Sequence, residues 1–401
     1  MVGSSWDDLA GLTINVTREG ALEQPMGARM RMADGVAAPP AACSFAAGAR
    51  HCLLRVPLPP QSRHPWTPQS PFLFNFTLAL VGEKNRTLDS VDSYAALRTV
   101  GRLRSAEPGG KELTRLTLNG RRAYLIGTLD QGFWPEGVYT APTDEALASD
   151  LLTLKALGFD AVRKHQKIEP RRFYYHCDRL GIAVIQDFPG GRGAFGNASV
   201  EARFRAELRQ MVRRTAAHPS VLAYSIYNEG NAEPWNVSGG AEFISSIVAE
   251  VAAADTSGSA VGHSHPLFVD GLLLRSNPFA RRPERVSLSP CLVSRRVKEC
   301  GAQANTRLID AGSGWHMADS GSILSSHSYD QASVPNCTAL GSAASLPSNS
   351  RGHYALPHCA QHVLFNSEFG GLCLAPSAIG LPEWFDRGHE RFFGGAPTSR
   401  V

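Results

Sequence analysis

Residues 143–189 read TDEALASDLLTLKALGFDAVRKHQKIEPRRFYYHCDRLGIAVIQDFP, and the alternation of helix and strand within them decides the fold. The first part predicts a helix. Thr143 is a fitting N-cap, and Asp144 and Glu145 place acids where the helix dipole favours them. A full capping box is absent, because Ala146 stands where Glu or Gln would be needed. Leu147, Leu151, Leu154 and Leu157 recur at helical spacing, and Gly158 supplies the stop. FDAVR (159–163) is then a short strand. EPRRFYYHCDRLG (169–181) is a helix with Pro170 in its first turn and Gly181 closing it, and IAVIQDF (182–188) is the next strand.

The same texture extends in both directions. RAYLIG (122–127) is an earlier strand. VEARFRAELRQMVRRTAAH (200–218), VLAYSIYN (221–228) and GGAEFISSIVAEVAAAD (239–255) add helix, strand and helix. The strands are short and nearly all apolar, hence buried on both faces, which is the pattern of a parallel α/β protein. Residues 258–304 interrupt it with clustered Pro and Arg and no sustained period, as an insertion would. TRLIDAG (306–312), SILSSHSY (322–329) and HVLFNSEF (362–369) resume it. Upstream, FLFNFTLALVG (72–82) and DSVDSYAALRTVGRL (89–103) alternate with period two, so 61–120 reads as part of a small β-sandwich. Residues 1–60 show little period and read as an irregular or remnant segment.

Composition bounds the function. The 401 residues carry a net charge of +4, too mild for an electrostatic footprint on nucleic acid or an anionic membrane. No apolar run approaches the ~20 residues of a membrane span. The eight cysteines include no CxxC pair, which argues against structural zinc. Cys43/Cys52 and Cys291/Cys300 could form local bridges or remain single thiols. The opening MVGSSWDDLAGLTINV lacks a basic stretch followed by an apolar one, so it reads as no secretory signal. Against this, six of thirteen asparagines lie in Asn-x-Ser/Thr triplets (15, 75, 85, 197, 236 and 336). Chance would give roughly two. The compartment stays open.

In a parallel barrel the C-terminal ends of the strands build the site. Here those ends carry Asp130, Gln131 and Trp134, then Arg163 and His165, Asp187, Asn228 and Glu229, Trp315 and His316, His327 and Tyr329, and Glu368. Aromatic platforms beside planar polar groups suit a sugar. Glu229 and Glu368 follow buried strands, where a carboxylate costs several kcal/mol unless it is used or paired. Two such carboxylates are the equipment of glycosidic cleavage. A salt bridge to Arg163 or Lys164 that merely closes the barrel top explains them about equally well from spacing alone. His176 reads as a surface or packing residue, and Cys177 as core.

Taken in series, LDQGFWPEGVYTAP (129–142) with the opening stretch, HPSVLAYSIYNEG (218–230), TRLIDAGSGWH (306–316) and LFNSEFGGL (364–372) resemble glycoside hydrolase family 2. PWTPQSPFLFNFTLAL (65–80) is similar to the immunoglobulin-like sandwich that precedes the barrel in that family. The resemblance implies a TIM-type (β/α)8 barrel over 121–401, with Glu229 as acid/base and Glu368 as nucleophile of a retaining β-glycosidase. It further implies that Asn228 binds the hydroxyl beside the reacting carbon, Arg163 orients the nucleophile and Tyr329 donates to it. Asp130, His165, Trp315 and His327 would line the sugar subsite. The mechanism calls for no cofactor or metal, and the one partner implied is a β-glycoside, with galactosidase ahead of glucuronidase because no Asn-x-Lys follows Glu368. Departures from the family set up an alternative. Residues 1–60 are too few for its first sandwich, and after Glu368 no apolar run offers an eighth strand. An inactive, carbohydrate-binding remnant with an unclosed barrel is therefore the competing expectation.

Overall fold

The computed structural model describes residues 2–3, 11–17, 27–33, 36, 38–106, 112–190, 194–230, 233–234, 237–255, 307–314, 320–328 and 361–369. Seven strands form an N-terminal sandwich: β1 (Val2–Gly3), β2 (Gly11–Thr17), β3 (Gly27–Met32), β4 (Ala41–Ser44), β5 (His51–Pro57), β6 (Phe74–Val81) and β7 (Thr87–Ala95). They pair antiparallel in two sheets, ordered β1-β2-β5 and β4-β3-β6-β7. Alternate residues point inward, so Leu12, Ile14, Leu54, Val56, Phe74 and Phe76 share one core. A Cys43–Cys52 disulfide joins β4 to β5 and so crosslinks the sheets.

This corrects the expectation for residues 1–60, which supply β1 to β5 rather than an irregular lead-in. The strands are short, and several inward positions hold small or flexible residues (Ala28, Met30, Ala41). Their partner β6 lies some forty residues downstream of β3, and such non-local pairing leaves no period to read. The sandwich also ends earlier than expected. Strands β8 (Val100–Ala106), β9 (Glu112–Leu118) and β10 (Arg121–Arg122) form an antiparallel unit that joins the barrel strands β16 (Ile323–Ser328) and β17 (Val363–Phe369).

The α/β region follows the predicted alternation except at its start, where the first strand spans Gly127–Asp130 rather than 122–127. Strands β11 (Gly127–Asp130), β12 (Ala161–Lys164), β13 (Ala183–Asp187), β14 (Val221–Asn228) and β15 (Leu308–Ser313) lie parallel in that order, and β16 and β17 form a second parallel pair. Helices α1 (Asp144–Ala156), α2 (Arg171–Leu180), α3 (Ala198–Thr215) and α4 (Gly240–Ala254) connect the first strands. The Ser322 N–H donates to the Ile309 carbonyl (2.8 Å), stitching the start of β16 to β15. One core fills the space between strands and helices, with Val162, Val184, Tyr224, Phe204 and Ile247. Another lies at the strands' N-terminal ends, where Val100 and Leu116 of the β8–β9 hairpin pack with Ala161, Ala183, Leu308 and Val363. That hairpin covers the barrel floor and leaves the opposite rim for chemistry.

Local signals are close to those read from the sequence. Thr143 Oγ1 accepts from Ala146 N (3.1 Å), and Gly181 closes α2 in the left-handed region at φ 71°. Pro170 is the N-cap of α2 rather than part of its first turn. Leu157, the C-cap, is 69% exposed, so the buried stripe of α1 ends at Leu151, with Leu154 partly buried against the same core. His176 is buried against Asp144, and Cys177 is core. The insertion 258–304, Cys291 and Cys300, and the tail on which the eighth strand depends lie outside the described residues.

Candidate active site

The carboxyl ends of the parallel strands meet on one rim, and Arg163 is its hub. This guanidinium, 4% exposed, grips Asp187 at the end of β13 with two bonds, Nε to Oδ1 (3.0 Å) and Nη2 to Oδ2 (2.8 Å). Nη2 also donates to Asn228 Oδ1 on β14 (2.8 Å) and Ser313 Oγ on β15 (2.6 Å), while Nη1 donates to Glu368 Oε1 on β17 (2.9 Å). Five strands are thus tied through one side chain. Burial alone would lower the Arg163 pKa, but Asp187 first and Glu368 after it hold the group above its ordinary value. A planar donor fork makes such multidentate binding possible, and Lys could not reproduce it.

The two glutamates face each other across His327. The buried ring places Nδ1 2.9 Å from Glu229 Oε1 and Nε2 3.4 Å from Glu368 Oε1. One oxygen of each carboxylate and one ring nitrogen lie within 4.8 Å of one another. The expected salt bridge to Arg163 is made by Glu368, whose side chain stays 12% exposed on the rim. Glu229 occupies a left-handed backbone conformation, φ 55°, which costs about 1–3 kcal/mol in a non-glycine residue. Its N–H donates to the Ser313 carbonyl (2.6 Å), which holds the turn. Opposite, Gly314 adopts φ +103°, and a Cβ there would meet the His327 ring at 2.9 Å and Glu229 Cγ at 3.1 Å. Only glycine leaves room for both side chains.

Around this pair stand the other sequence-predicted residues. His165 Nδ1 lies 2.8 Å from Asp187 Oδ2, and Asn228 is fixed by Arg163 and Ser313. Asp130 reaches the rim with Oδ2 on Lys164 Nζ (2.9 Å) and Oδ1 accepting from Gly132 N (2.7 Å), so its contacts here fix the loop after β11. Trp315 and Tyr329 lie outside the described residues. Among the described residues, the single group with metal-ligand geometry is Glu229, His327 and Glu368 itself. The guanidinium 2.9 Å from Glu368 already supplies positive charge there, which opposes a second cation.

Three features escaped the sequence reading. Asp187 was visible at a strand end but carries the main load on Arg163. Ser313 gave no signal, since a lone serine has none. Lys164 and Lys167 are both buried on Glu169, and Lys167 Nζ also binds the Gly132 carbonyl (2.7 Å), so an ion cluster supports the loop carrying Asp130. A further buried carboxyl, Glu233, lies against Gly312, and neither of its oxygens is hydrogen-bonded among the described residues. Burial, then the nearby Asp310, push it up to about 8.

Residues 113–257 match the family model for the TIM barrel domain of the glycosyl hydrolases family 2. A putative beta-glucuronidase of Formosa agariphila is 27% identical over 174 residues, covering 42% of this chain and 16% of that protein. A beta-galactosidase of Pseudoalteromonas haloplanktis is 28% identical over 173 residues, covering 41% and 16%. The chain therefore spans about a sixth of the length of these relatives. Among solved structures, the fold is similar to that of a Parabacteroides merdae beta-glucuronidase, with a TM-score of 0.56 at 15% identity, covering 82% of this chain and 35% of that one. It is also similar to a beta-galacturonidase of Eisenbergiella tayi, with a TM-score of 0.55 at 16% identity, covering 80% and 47%. The rim geometry and these likenesses agree: residues 113–257 are similar to the TIM barrel domain of the glycosyl hydrolases family 2.

Proposed function

We propose that this chain carries the catalytic centre of a retaining β-glycosidase. The observation that carries the reading is the pair Glu229 and Glu368, brought within 4.8 Å through His327 on a rim whose strands Arg163 locks together. Retaining enzymes hold their two carboxyl groups about 5–5.5 Å apart, close enough for one to attack and the other to donate a proton. Glu368, oriented by the guanidinium, attacks the anomeric carbon. Glu229, facing an imidazole, donates its proton to the leaving oxygen and then, as a base, activates water. With Glu229 protonated, the His327 tautomer that carries its proton on Nε2 accepts from Glu229 at Nδ1 and donates to Glu368, so the ring holds the acid and the nucleophile in register. Asn228, pinned by Arg163 and Ser313, presents its amide to the sugar, and His165 is oriented by Asp187.

The sandwich order β1-β2-β5 facing β4-β3-β6-β7 supports reading it as immunoglobulin-like. Galactosides remain the first substrates to try, with uronides second in view of the relatives' names. The test is hydrolysis of aryl β-glycosides by wild type, Glu229→Ala and Glu368→Ala. A 2-deoxy-2-fluoro glycoside with a good leaving group should leave a covalent label on Glu368, read by peptide mass spectrometry. Wild-type turnover no faster than that of either variant would reject the enzyme and favour the binding remnant.

A further inference from the structure

The excess of Asn-x-Ser/Thr triplets finds no use in glycoside chemistry, and the structure sorts those it describes. Asn75 alternates along β6 with buried Phe74 and Phe76, so it stands exposed on the solvent face of its sheet, where the Thr77 hydroxyl donates to Asp92 Oδ1 (2.7 Å) in an exposed contact. Asn85 sits in the turn joining β6 to β7, at φ 61°, with Asn85 and Thr87 both exposed. Asn15 is only half-exposed on β2. Asn197 caps α3, its Oδ1 accepting from Val200 N (3.2 Å) and Ser199 Oγ (3.0 Å). The triplets at 236 and 336 lie outside the described residues.

A second observation points to the same compartment. The Cys43–Cys52 disulfide crosslinks the two sheets of this sandwich, and the one free cysteine described, Cys177, is buried. Disulfides persist where the surroundings are oxidising, and in cells that modify asparagine this is also where oligosaccharide is attached. We infer that the sandwich is N-glycosylated at Asn75 and Asn85, on the outer face and end of the β4-β3-β6-β7 sheet, in a compartment that also forms the Cys43–Cys52 bond. The amide Nδ2 of each asparagine is the group that takes the sugar, with the hydroxyl two residues on completing the acceptor. An oligosaccharide at either position points into solvent and leaves the core of Phe74, Phe76 and Leu78 untouched.

The test is secretion of the full chain from cultured animal cells behind an added leader. An acceptor triplet appended at the C-terminus reports entry into the lumen, and only chains modified there are scored. Release of glycans by peptide N-glycosidase in heavy-oxygen water should mark Asn75 and Asn85 as labelled aspartates. Thr77→Ala and Thr87→Ala should each abolish the label at their own site and retain the other. Non-reducing peptide mapping should recover Cys43 linked to Cys52. Absence of label from either asparagine, or Cys43 and Cys52 recovered as free thiols, would overturn the inference. The outcome is independent of catalytic activity.

Discussion

Arg163 shows how much one side chain can be made to do. Its contacts with Asp187, Asn228, Ser313 and Glu368 require both the planar fork and full burial. Arg163→Lys keeps the charge but cannot span these partners, leaving Asp187 incompletely paired. The expected outcome is a fall in kcat/KM on the best aryl glycoside of about 10²-fold or more, with loss of about 3 kcal/mol in urea unfolding. Gly314 makes the complementary case by having no side chain. Gly314→Ala is strained at φ +103° and drives a methyl into His327 and Glu229. Its kcat should drop about 10²-fold while a circular dichroism spectrum stays native, because about 1 Å of displacement at the carboxyl pair suffices. Unchanged kcat would show that the close approach at Gly314 does not govern the pair.

At the scale of elements, the turn leaving β14 carries both a working group and a liability. Glu229 begins it, and Glu233 is buried a few residues on with neither carboxyl oxygen hydrogen-bonded among the described residues. Because burial raises Glu233 from 4.5 to about 8, the folded chain keeps a proton that the unfolded chain releases across that interval. Stability therefore falls as pH rises from about 4.5 to 8 and levels off above. Glu233→Gln removes the titration. Relative to wild type it should gain stability progressively across the same window, reaching on the order of 3 kcal/mol near pH 8. Denaturant melts at several pH values read this directly, and a pH-independent difference would exclude Glu233 as the source.

The whole molecule is joined by a buried carboxylate far from the rim. Asp178 on α2 accepts from Tyr94 Oη of the sandwich (2.6 Å) and from Ser220 N (2.9 Å), with His218 Nδ1 at 2.7 Å. Its backbone carbonyl takes the indole N–H of Trp66 (2.7 Å), itself completely buried. Asp178→Ala strands several donors in an apolar junction between sandwich and barrel. It should cost about 3–5 kcal/mol and broaden the unfolding transition as the two parts lose their common footing. Calorimetry of the variant checks both effects, and a single sharp transition at the wild-type temperature would contradict them.

What the sequence determined is what local rules govern. Helix caps, apolar strands and breakers lie within a few residues of one another, so the alternation from Asp130 to Asp255 was legible, as was the placing of Glu229 and Glu368 at strand ends. The first sixty residues were not legible. Their strands pair across long intervals of chain, with inward positions often held by small or flexible residues, and no window contains the period that pairing creates. Likewise, His165 could be named, but not its dependence on Asp187, and His327 could be named, but not its place between the glutamates. Ser313 and Gly314 carried no signal at all. Only the tertiary structure decided these, because hydrogen bonds between ends of strands distant in sequence are set by the parallel register of the barrel, not by any neighbour along the chain.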